Sequence, residues 1–307
     1  MDQAEWKLLK EIAELEKTPQ GAYNIRRNGA LDSRNSTANI EITTKTEPGK
    51  SGIDIRIKPG TRHESVHIPV IISQTGLSEM VYNDFFIGED CDVDIVAGCG
   101  IHNTGCETSQ HDGVHTFYVG KNSKVRYVER HYGEGDGMGE NIMNPTTVVE
   151  MDEDSYLEME TTQIKGVDST VRTTKATLGS RATLIIKEKV MTHGKQLAKS
   201  DFTVDLNGED CHTNVISRSV ARDQSHQVFL ARINGNARCY GHSECDAIIM
   251  DQGVVAAIPE VTANCVDASL VHEAAIGKIA GEQLIKLMTL GLTEKEAEEQ
   301  IVKGFLK

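Results

Sequence analysis

The side chains with the greatest potential for chemistry cluster near the end of the 307-residue chain, between Ile233 and Glu273. This segment contains three thiols, two imidazoles and a carboxylate, supplied by Cys239, Cys245, Cys265, His242, His272 and Glu273. Borderline metal ions and iron–sulfur clusters use these ligand types. Because the cysteines are not spaced as Cys-x-x-Cys, a closed zinc knuckle is disfavoured. A structural role stays open for Cys239 and Cys265, since free cysteine is often a small buried hydrophobe.

A second cluster, with two thiols and three imidazoles in seventeen residues, runs from Cys99 to His115. It is dense enough for a zinc site, with Cys106, His111 and His115 as further candidate ligands. The many glycines in GCGIHNTGCETSQHDGVHTF predict a loop that bulges from the fold, where functional residues often lie. Because glycines flank Cys99, we expect its thiol to be accessible, with nearby histidines stabilising the thiolate.

Composition argues against several classes of function. The net charge of −14 disfavours nucleic acid and an anionic membrane surface as partners. No apolar run approaches the roughly 18–20 residues needed to span a bilayer, and the N-terminus MDQAEWKLLKEIAELEK is too charged for a signal peptide. Seven cysteines without a secretory signal predict reduced thiols in a cytoplasmic protein. The sequence lacks the common glycine-rich phosphate-binding motifs, so we expect this chain to bind no nucleotide.

A repeat occupies the middle of the chain. Six segments combine a polar turn, a small residue and an alternating strand pattern, and they begin at Gly88, Gly120, Asp152, Gly179, Gly208 and Gly235. The intervals are 32, 32, 27, 29 and 27 residues, which is typical of solenoids and propellers. A propeller blade needs about 40 residues, so the shorter intervals favour stacked β-helix coils whose small residues point inward. Only 5% of the residues are aromatic, which also favours stacked short strands over a bulky core.

The two ends of the chain follow other patterns, and we divide the sequence into residues 1–50, 51–271 and 272–307. The first part contains a predicted helix over residues 2–17, with a 3.6-residue apolar period, and then a polar connecting segment. The second part is the predicted β-helix core. The third is predicted to be helical from His272 onward, because Gly291 ends one helix and Thr293 with Glu296 forms a capping box for another.

Several C-terminal motifs resemble the SufB/SufD family of SUF-system iron–sulfur cluster assembly proteins. The motifs are Cys245-Asp246 before an apolar run, Val271-His272-Glu273-Ala274, Gly277-Lys278-Ile279 and Glu282-Gln283-Leu284. The resemblance implies a mainly β protein, a right-handed parallel β-helix with an N-terminal helix and a C-terminal helical cap. It also implies that Cys245, His272 and Glu273 bind a nascent iron–sulfur cluster.

The same resemblance implies a role for Cys99 and a set of partners. In the family a Gly-Cys turn is proposed to receive persulfide sulfur from a sulfur donor. Cys99 falls on that turn, although residues 100–102 depart from the family pattern. The C-terminal helices would dock a SufC-like ABC-type ATPase, and the chain would pair with a second copy or with a related SufB/SufD chain.

We therefore expect a scaffold that carries a transient cluster and is not itself an enzyme, with ATP hydrolysis on the partner. Cys245 precedes His272 and Glu273 by 27 and 28 residues, about one coil, so the three side chains are expected to lie together. Mixing thiolate with histidine or carboxylate should bind a cluster less tightly than thiolates alone, which favours its release. Two alternatives stay open, namely a zinc protein built on residues 99–115 and a β-helix polysaccharide lyase or hydrolase.

Overall fold

The computed structural model describes residues 1–307, which form three helices and twenty strands. The helices are α1 (Gln3–Ala13), α2 (Gly281–Thr289) and α3 (Glu294–Phe305). The strands are β1 (Ala22–Arg27), β2 (Ala30–Asn35), β3 (Ile40–Thr44), β4 (Gly52–Ile57), β5 (Arg62–Ile72), β6 (Ser78–Ile87), β7 (Asp92–His102), β8 (Ser109–Val119), β9 (Lys124–Glu134), β10 (Asn141–Met143), β11 (Thr146–Met151), β12 (Tyr156–Lys165), β13 (Ser169–Leu178), β14 (Thr183–Thr192), β15 (Leu197–Leu206), β16 (Cys211–Ala221), β17 (His226–Gly235), β18 (Cys239–Ile249), β19 (Val254–Ala263) and β20 (Ser269–Gly277). None of the helices is long and apolar enough to cross a membrane.

Successive coils pair in parallel and build two ten-stranded sheets. One sheet has the order β2-β1-β5-β7-β9-β12-β14-β16-β18-β20. The other has the order β19-β17-β15-β13-β10-β8-β6-β4-β3, with β11 also between β13 and β8. The result is a β-solenoid of about 8 turns with 58% of its residues in strands, so the predicted fold, with helices at both ends, is confirmed.

The repeated turns share one backbone conformation. The third residue of five of the six turns has a φ between 56° and 59°, and these residues are Asp90, Asn122, Asp154, Arg181 and Asp210. Asn and Asp enter this left-handed region more readily than most side chains, which explains the polar turn sequences. The small residue that follows is at most 2% exposed in each case: Cys91, Ser123, Ser155, Ala182 and Cys211. The repeat therefore marks the corners of the coils, with the small residue inward as predicted.

The hydrophobic core lies between the two sheets. Strands such as β14 and β18 alternate buried and partly exposed residues, because successive side chains point to opposite faces of a sheet. The largest cluster contains 37 buried residues and extends from Ile40 near one end to Cys245 near the other. Within it, Phe85 and Phe117 of neighbouring coils stack with 4.4 Å between their ring centroids. Like side chains thus stack along the solenoid axis.

The N-terminal helix lies on the outside of the solenoid. Asp2 caps α1 in a capping box with Glu5, and the helix ends at Ala13 and not at residue 17, because Glu14 turns into the left-handed conformation. Its apolar face, including Leu8, packs with residues of β1 and β5 in a separate cluster. This helix therefore shields the outer face of the first coils.

The polar connecting segment expected before residue 50 contains three strands. β1 pairs with β5 in parallel, whereas β2 pairs antiparallel with β1 and β3 antiparallel with β4. These strands are partly exposed and rich in polar residues, so their pattern is hard to recognise in the sequence. Ile40 and Ile42 of β3 are at most 5% exposed and complete the core at this end.

At the C-terminal end, β20 continues to Gly277, so the prediction of helix from His272 onward is wrong for the first residues. Beyond the strand the predicted pattern is confirmed. α2 is followed by Gly291, whose φ is 98°, and Thr293 forms the capping box of α3 with Glu296. A division into domains at residues 50 and 272 stays a prediction.

The last coil is open. α3 packs Val302 against Val220 and Met250 on the side of the solenoid, so it does not cover the coil's end. Val261 of β19 and Ile276 of β20 are in register with buried inward residues of the coil before. They are nevertheless 47% and 39% exposed. The core is therefore accessible from this end.

Candidate functional site

Cys245 of β18 and His272 of β20 lie on the inward face of the last two coils. β18 and β20 pair in parallel, with Ser243 in register with His272 and Cys245 in register with Ala274. Because alternate residues of a strand share a face, the thiol and the imidazole both point between the sheets, offset by one diagonal step. The one-coil spacing in the sequence therefore does bring these two side chains to one face of the sheet.

Glu273 points the other way. It is in register with Glu244 on the outer face, its side chain is 67% exposed, and its Oε2 lies 3.5 Å from Nε2 of His242. Adjacent residues of a strand face opposite sides of the sheet. The expectation that Glu273 joins Cys245 and His272 within one chain is therefore wrong.

The inward site is shielded from solvent, and two of its polar atoms lack hydrogen-bond partners. Cys245 is fully buried, and its pKa is raised to about 12, first by burial and then by the negative charge of Glu188. Burial also lowers the pKa of His272, with a further contribution from His242. The His272 Nδ1 and the Ser243 Oγ are buried without hydrogen-bond partners. At neutral pH the site thus holds a thiol and a neutral imidazole, and metal binding would displace the thiol proton.

Cys99 is buried in the middle of β7 and only 2% exposed. Its glycine neighbours serve helix packing, because a Cβ on Gly98 would meet the Ile12 carbonyl oxygen at 2.8 Å and one on Gly100 would meet Leu8 at 3.1 Å. Burial, assisted by nearby carboxylates, raises the pKa of the Cys99 thiol well above its usual value. The prediction of an accessible thiolate on a loop is therefore wrong for Cys99.

Cys106, His111 and His115 do not converge on one point. Cys106 is exposed in the turn after β7, whereas both histidines are buried on β8. The Nδ1 of His111 lies 3.1 Å from Oε1 of Glu79, and the Nδ1 of His115 lies 2.8 Å from the hydroxyl of Tyr127. No three ligand atoms of this segment lie within 4.8 Å of one another, so the geometry gives the predicted zinc site no support.

A column of buried polar side chains runs through the core between the two thiols, and we call it the polar column. Its members are Tyr127, Glu129, Arg172, Glu188, Ser200 and Ser217. Arg172 donates to Oε2 of Glu129 at 2.6 Å and lies 3.7 Å from Oε1 of Glu188. Ser200 and Ser217 donate to Glu188 at 2.5 and 2.9 Å. The buried charges are thus paired and hydrogen-bonded, as burial requires.

The polar column connects the surroundings of the two thiols. His131 is in register with Cys99, and its Nε2 lies 3.6 Å from Glu129, while Ser217 is in register with Cys245. The strand order β7-β9-β12-β14-β16-β18 separates the thiols by five steps, roughly 24 Å at about 4.8 Å per step. Each end has a small cavity of about 10 Å³, enough for roughly one water molecule.

The sequence prediction missed the polar column, although a signal was present. Glu129 alternates with Tyr127 and His131 on the inward face of β9, where a charged residue is unexpected. Burial alone raises the pKa of Glu129, but Arg172 and then His131 outweigh it and hold this pKa well below its usual value. A charge at an inward position of an alternating strand was therefore the available clue.

The remaining cysteines of the C-terminal cluster lie at coil corners. Cys239 is buried and in register with Cys211 of the preceding coil. Cys265 is half-buried in the turn between β19 and β20. The position of Cys239 matches that of the small inward residues in the other turns, which supports a structural role.

Comparison with known proteins agrees with this architecture. Residues 73–305 match the family model described as SUF system FeS cluster assembly, SufBD core domain. An iron–sulfur cluster assembly SufBD family protein of Methanocaldococcus jannaschii is 30% identical over 87% of this chain and 84% of its own length. A similar family protein of Methanothermobacter thermautotrophicus is 27% identical over 90% of this chain and 67% of its own length. One of Archaeoglobus fulgidus is 29% identical over 84% of this chain and 68% of its own length.

Proposed function

The chain belongs to the SufBD family of iron–sulfur cluster assembly proteins, and from this premise we propose that it is a scaffold on which a transient cluster is built. The observation that carries the proposal is the placement of Cys245 and His272 on the inward face of the last two coils, at the open end. Thiolate and imidazole are both cluster ligands. The family match favours this role over a zinc protein or a polysaccharide lyase, and the scaffold itself would not be an enzyme.

The site of one chain is incomplete, which supports assembly with a second chain. One thiol and one imidazole are too few for a cluster that takes four protein ligands. β19 and β20 are the last strands of their sheets, and an unpaired edge of this kind is a template for pairing with another chain. A second copy, or a related SufB/SufD chain, that meets this end would bring further ligands to the inward face.

Sulfur entry at Cys99 is a further part of the proposal. A persulfide donor would pass its terminal sulfur to the Cys99 thiol, which becomes a persulfide while the donor becomes a thiol. Because the Cys99 side chain points into the core, on the face of β7 opposite to α1, this step requires local opening of the coil around β7. The roughly 24 Å to Cys245 is too far for direct exchange, and the polar column offers a polar path through the core.

For the partner ATPase we propose the surface around α2 and α3. No residue of α2 is buried. Ile285 within this helix is 63% exposed, and Leu290 directly after it is 76% exposed. A groove of about 520 Å³ lined by Ile279 and Phe305 lies between the helices and the C-terminal ends of β18 and β20. Exposed apolar surface of this kind typically marks a protein interaction site.

Substitution of the inward ligands tests the scaffold proposal. After anaerobic reconstitution with iron and sulfide, Cys245→Ala should retain no more than about one-tenth of the iron and sulfide that the wild type retains. His272→Ala should lose less, since the thiolate is the stronger iron ligand. Cys239→Ala, which removes a buried thiol from the same strand, is the matched control and should retain the cluster. A folded Cys245→Ala protein with a full complement of cluster would refute the proposal.

A further inference from the structure

The outer face of the last coil carries a second cluster of ligand side chains. His242 and Glu244 alternate outward along β18, and Glu273 of β20 is in register with Glu244. One ligand atom from each of the three lies within 4.8 Å of the other two. No other three His, Cys, Asp or Glu side chains in the chain meet this condition. The cluster is separated from Cys245 by the thickness of the sheet, because residues 244 and 245 face opposite sides.

Asn214 orients the histidine of this cluster. It is in register with His242 on the neighbouring strand β16, and its Oδ1 lies 3.0 Å from Nδ1 of the imidazole. Since an amide oxygen only accepts, Nδ1 is the nitrogen that donates, and Nε2 is the nitrogen that faces away from Asn214 and is available to a metal ion. That Nε2 faces Glu273, whose Oε2 is 3.5 Å away. A metal-bound histidine is usually held in this way, with its other nitrogen donating to a fixed oxygen.

Carboxylates crowd around the same point. Glu244 and Asp246 alternate outward along β18, and Glu273 of β20 is in register with Glu244. Three carboxylates thus lie on this small area of the outer face. Like charges at close range repel, so a bound cation would relieve this repulsion.

We propose that His242, Glu244 and Glu273 bind one divalent first-row transition-metal ion on the outer face of the last coil. An imidazole with two carboxylates suits Fe²⁺, Mn²⁺ or Zn²⁺. Three protein ligands leave coordination positions for water or for a group from a partner chain. The proposed site gives Glu273 a role in metal binding that is consistent with its outward-facing side chain. The site stands on its own geometry, and only the identification of ferrous iron as the ion bound in the cell rests on the proposed function.

Manganese binding to the metal-free, full-length protein tests the site. Mn²⁺ titrations followed by electron paramagnetic resonance should show one ion bound per chain. Glu273→Gln and His242→Ala should each lower the affinity by at least about tenfold, and Asn214→Ala should lower it about tenfold through loss of the orienting hydrogen bond. Glu273 is largely exposed, so its substitution should leave the fold intact, which circular dichroism checks.

Two controls make the result decisive. Glu260→Gln removes an exposed carboxylate from β19, and Cys245→Ala removes the inward thiol; neither should change Mn²⁺ affinity. The proposal is overturned if Mn²⁺ does not bind at millimolar concentration, if binding survives Glu273→Gln, or if Glu260→Gln weakens it equally. Because Mn²⁺ binding is measured without cluster assembly, a failure here is distinct from a failure of the scaffold proposal.

Discussion

The two ends of the solenoid differ in the direction of their edge strands and in the exposure of their inward side chains. At the N-terminal end, β2 and β3 pair antiparallel with their neighbours, and the inward Ile40 and Ile42 are at most 5% exposed. At the C-terminal end, β19 and β20 keep the parallel direction of the coils, and the inward Val261 and Ile276 are 47% and 39% exposed. One end is thus closed within the chain, while the other presents its core.

This difference indicates which end is built for assembly. The edge strands β2 and β3 at the N-terminal end have only six and five residues, and short edge strands disfavour further strand addition. The open end combines strand edges, exposed apolar side chains and the Cys245–His272 pair within its last two coils. The closed end therefore shields its core within the chain, and the open end is the one at which we propose partner contact.

The strongest test of this comparison places a charge at each end. Val261→Asp should raise the dissociation constant of the pair of chains roughly 100-fold, or about 3 kcal/mol, because a carboxylate would be buried in an apolar interface. Leu31→Asp on β2 changes a side chain that is 49% exposed at the closed end and should have no effect. Analytical ultracentrifugation over a range of concentrations measures both. Pairing that persists in Val261→Asp would show that the open end is not the interface.

A second test uses acid to compare the interior with the surface. Burial lowers the pKa of His115 from 6.5 to about 4, so the folded protein binds this proton less readily than the unfolded chain. The stability contributed by a neutral His115 is therefore present above pH 6.5 and is lost as pH falls toward 4, by about 3 kcal/mol.

Urea unfolding at a series of pH values between 7 and 4 measures this loss. His115→Gln should flatten the pH dependence, whereas His226→Gln, which alters an exposed histidine on β17, should follow the wild type. An unchanged slope in His115→Gln would mean that other groups account for the acid sensitivity.

The smallest expected effect compares two glycines. A Cβ on Gly98 would meet the Arg130 and Ile12 carbonyl oxygens at 2.7 and 2.8 Å, whereas one on Gly277 would meet nothing within 4 Å. Gly98→Ala should destabilise the protein by about 1–3 kcal/mol through forced movement of α1, and Gly277→Ala should be near neutral. Thermal unfolding distinguishes them; equal midpoints would indicate that α1 packs loosely on β7.

The sequence predicted the fold well because the coil corners carry their own signal. A left-handed third residue favours Asp or Asn, which occupy four of the five such positions, and a small inward residue follows, as at Asp90-Cys91 and Asp210-Cys211. These local requirements recur at each coil and can be read without knowledge of distant contacts. Strands β1–β3 were not predicted because they carry many polar residues and lack that corner.

The site was predicted only in part, and the wrong predictions have a common origin. The glycines beside Cys99 suggested exposure, but they accommodate α1, a contact made across more than eighty residues of sequence. His272 and Glu273 were both expected beside Cys245 because of their one-coil spacing, yet adjacent residues of a strand face opposite sides. The Glu129–Arg172 ion pair joins the two sheets, and no single repeat reveals such a partner.

The parallel stacking of coils also sets the order in which the molecule comes apart. Each interior coil is held by two neighbours, whereas the coil formed by β19 and β20 has one within the chain. In such linear arrays the free energy of local opening is lowest at an unsupported end. Fraying should therefore begin at the coil that carries His272, with amide protons there exchanging fastest until a partner supplies the missing neighbour.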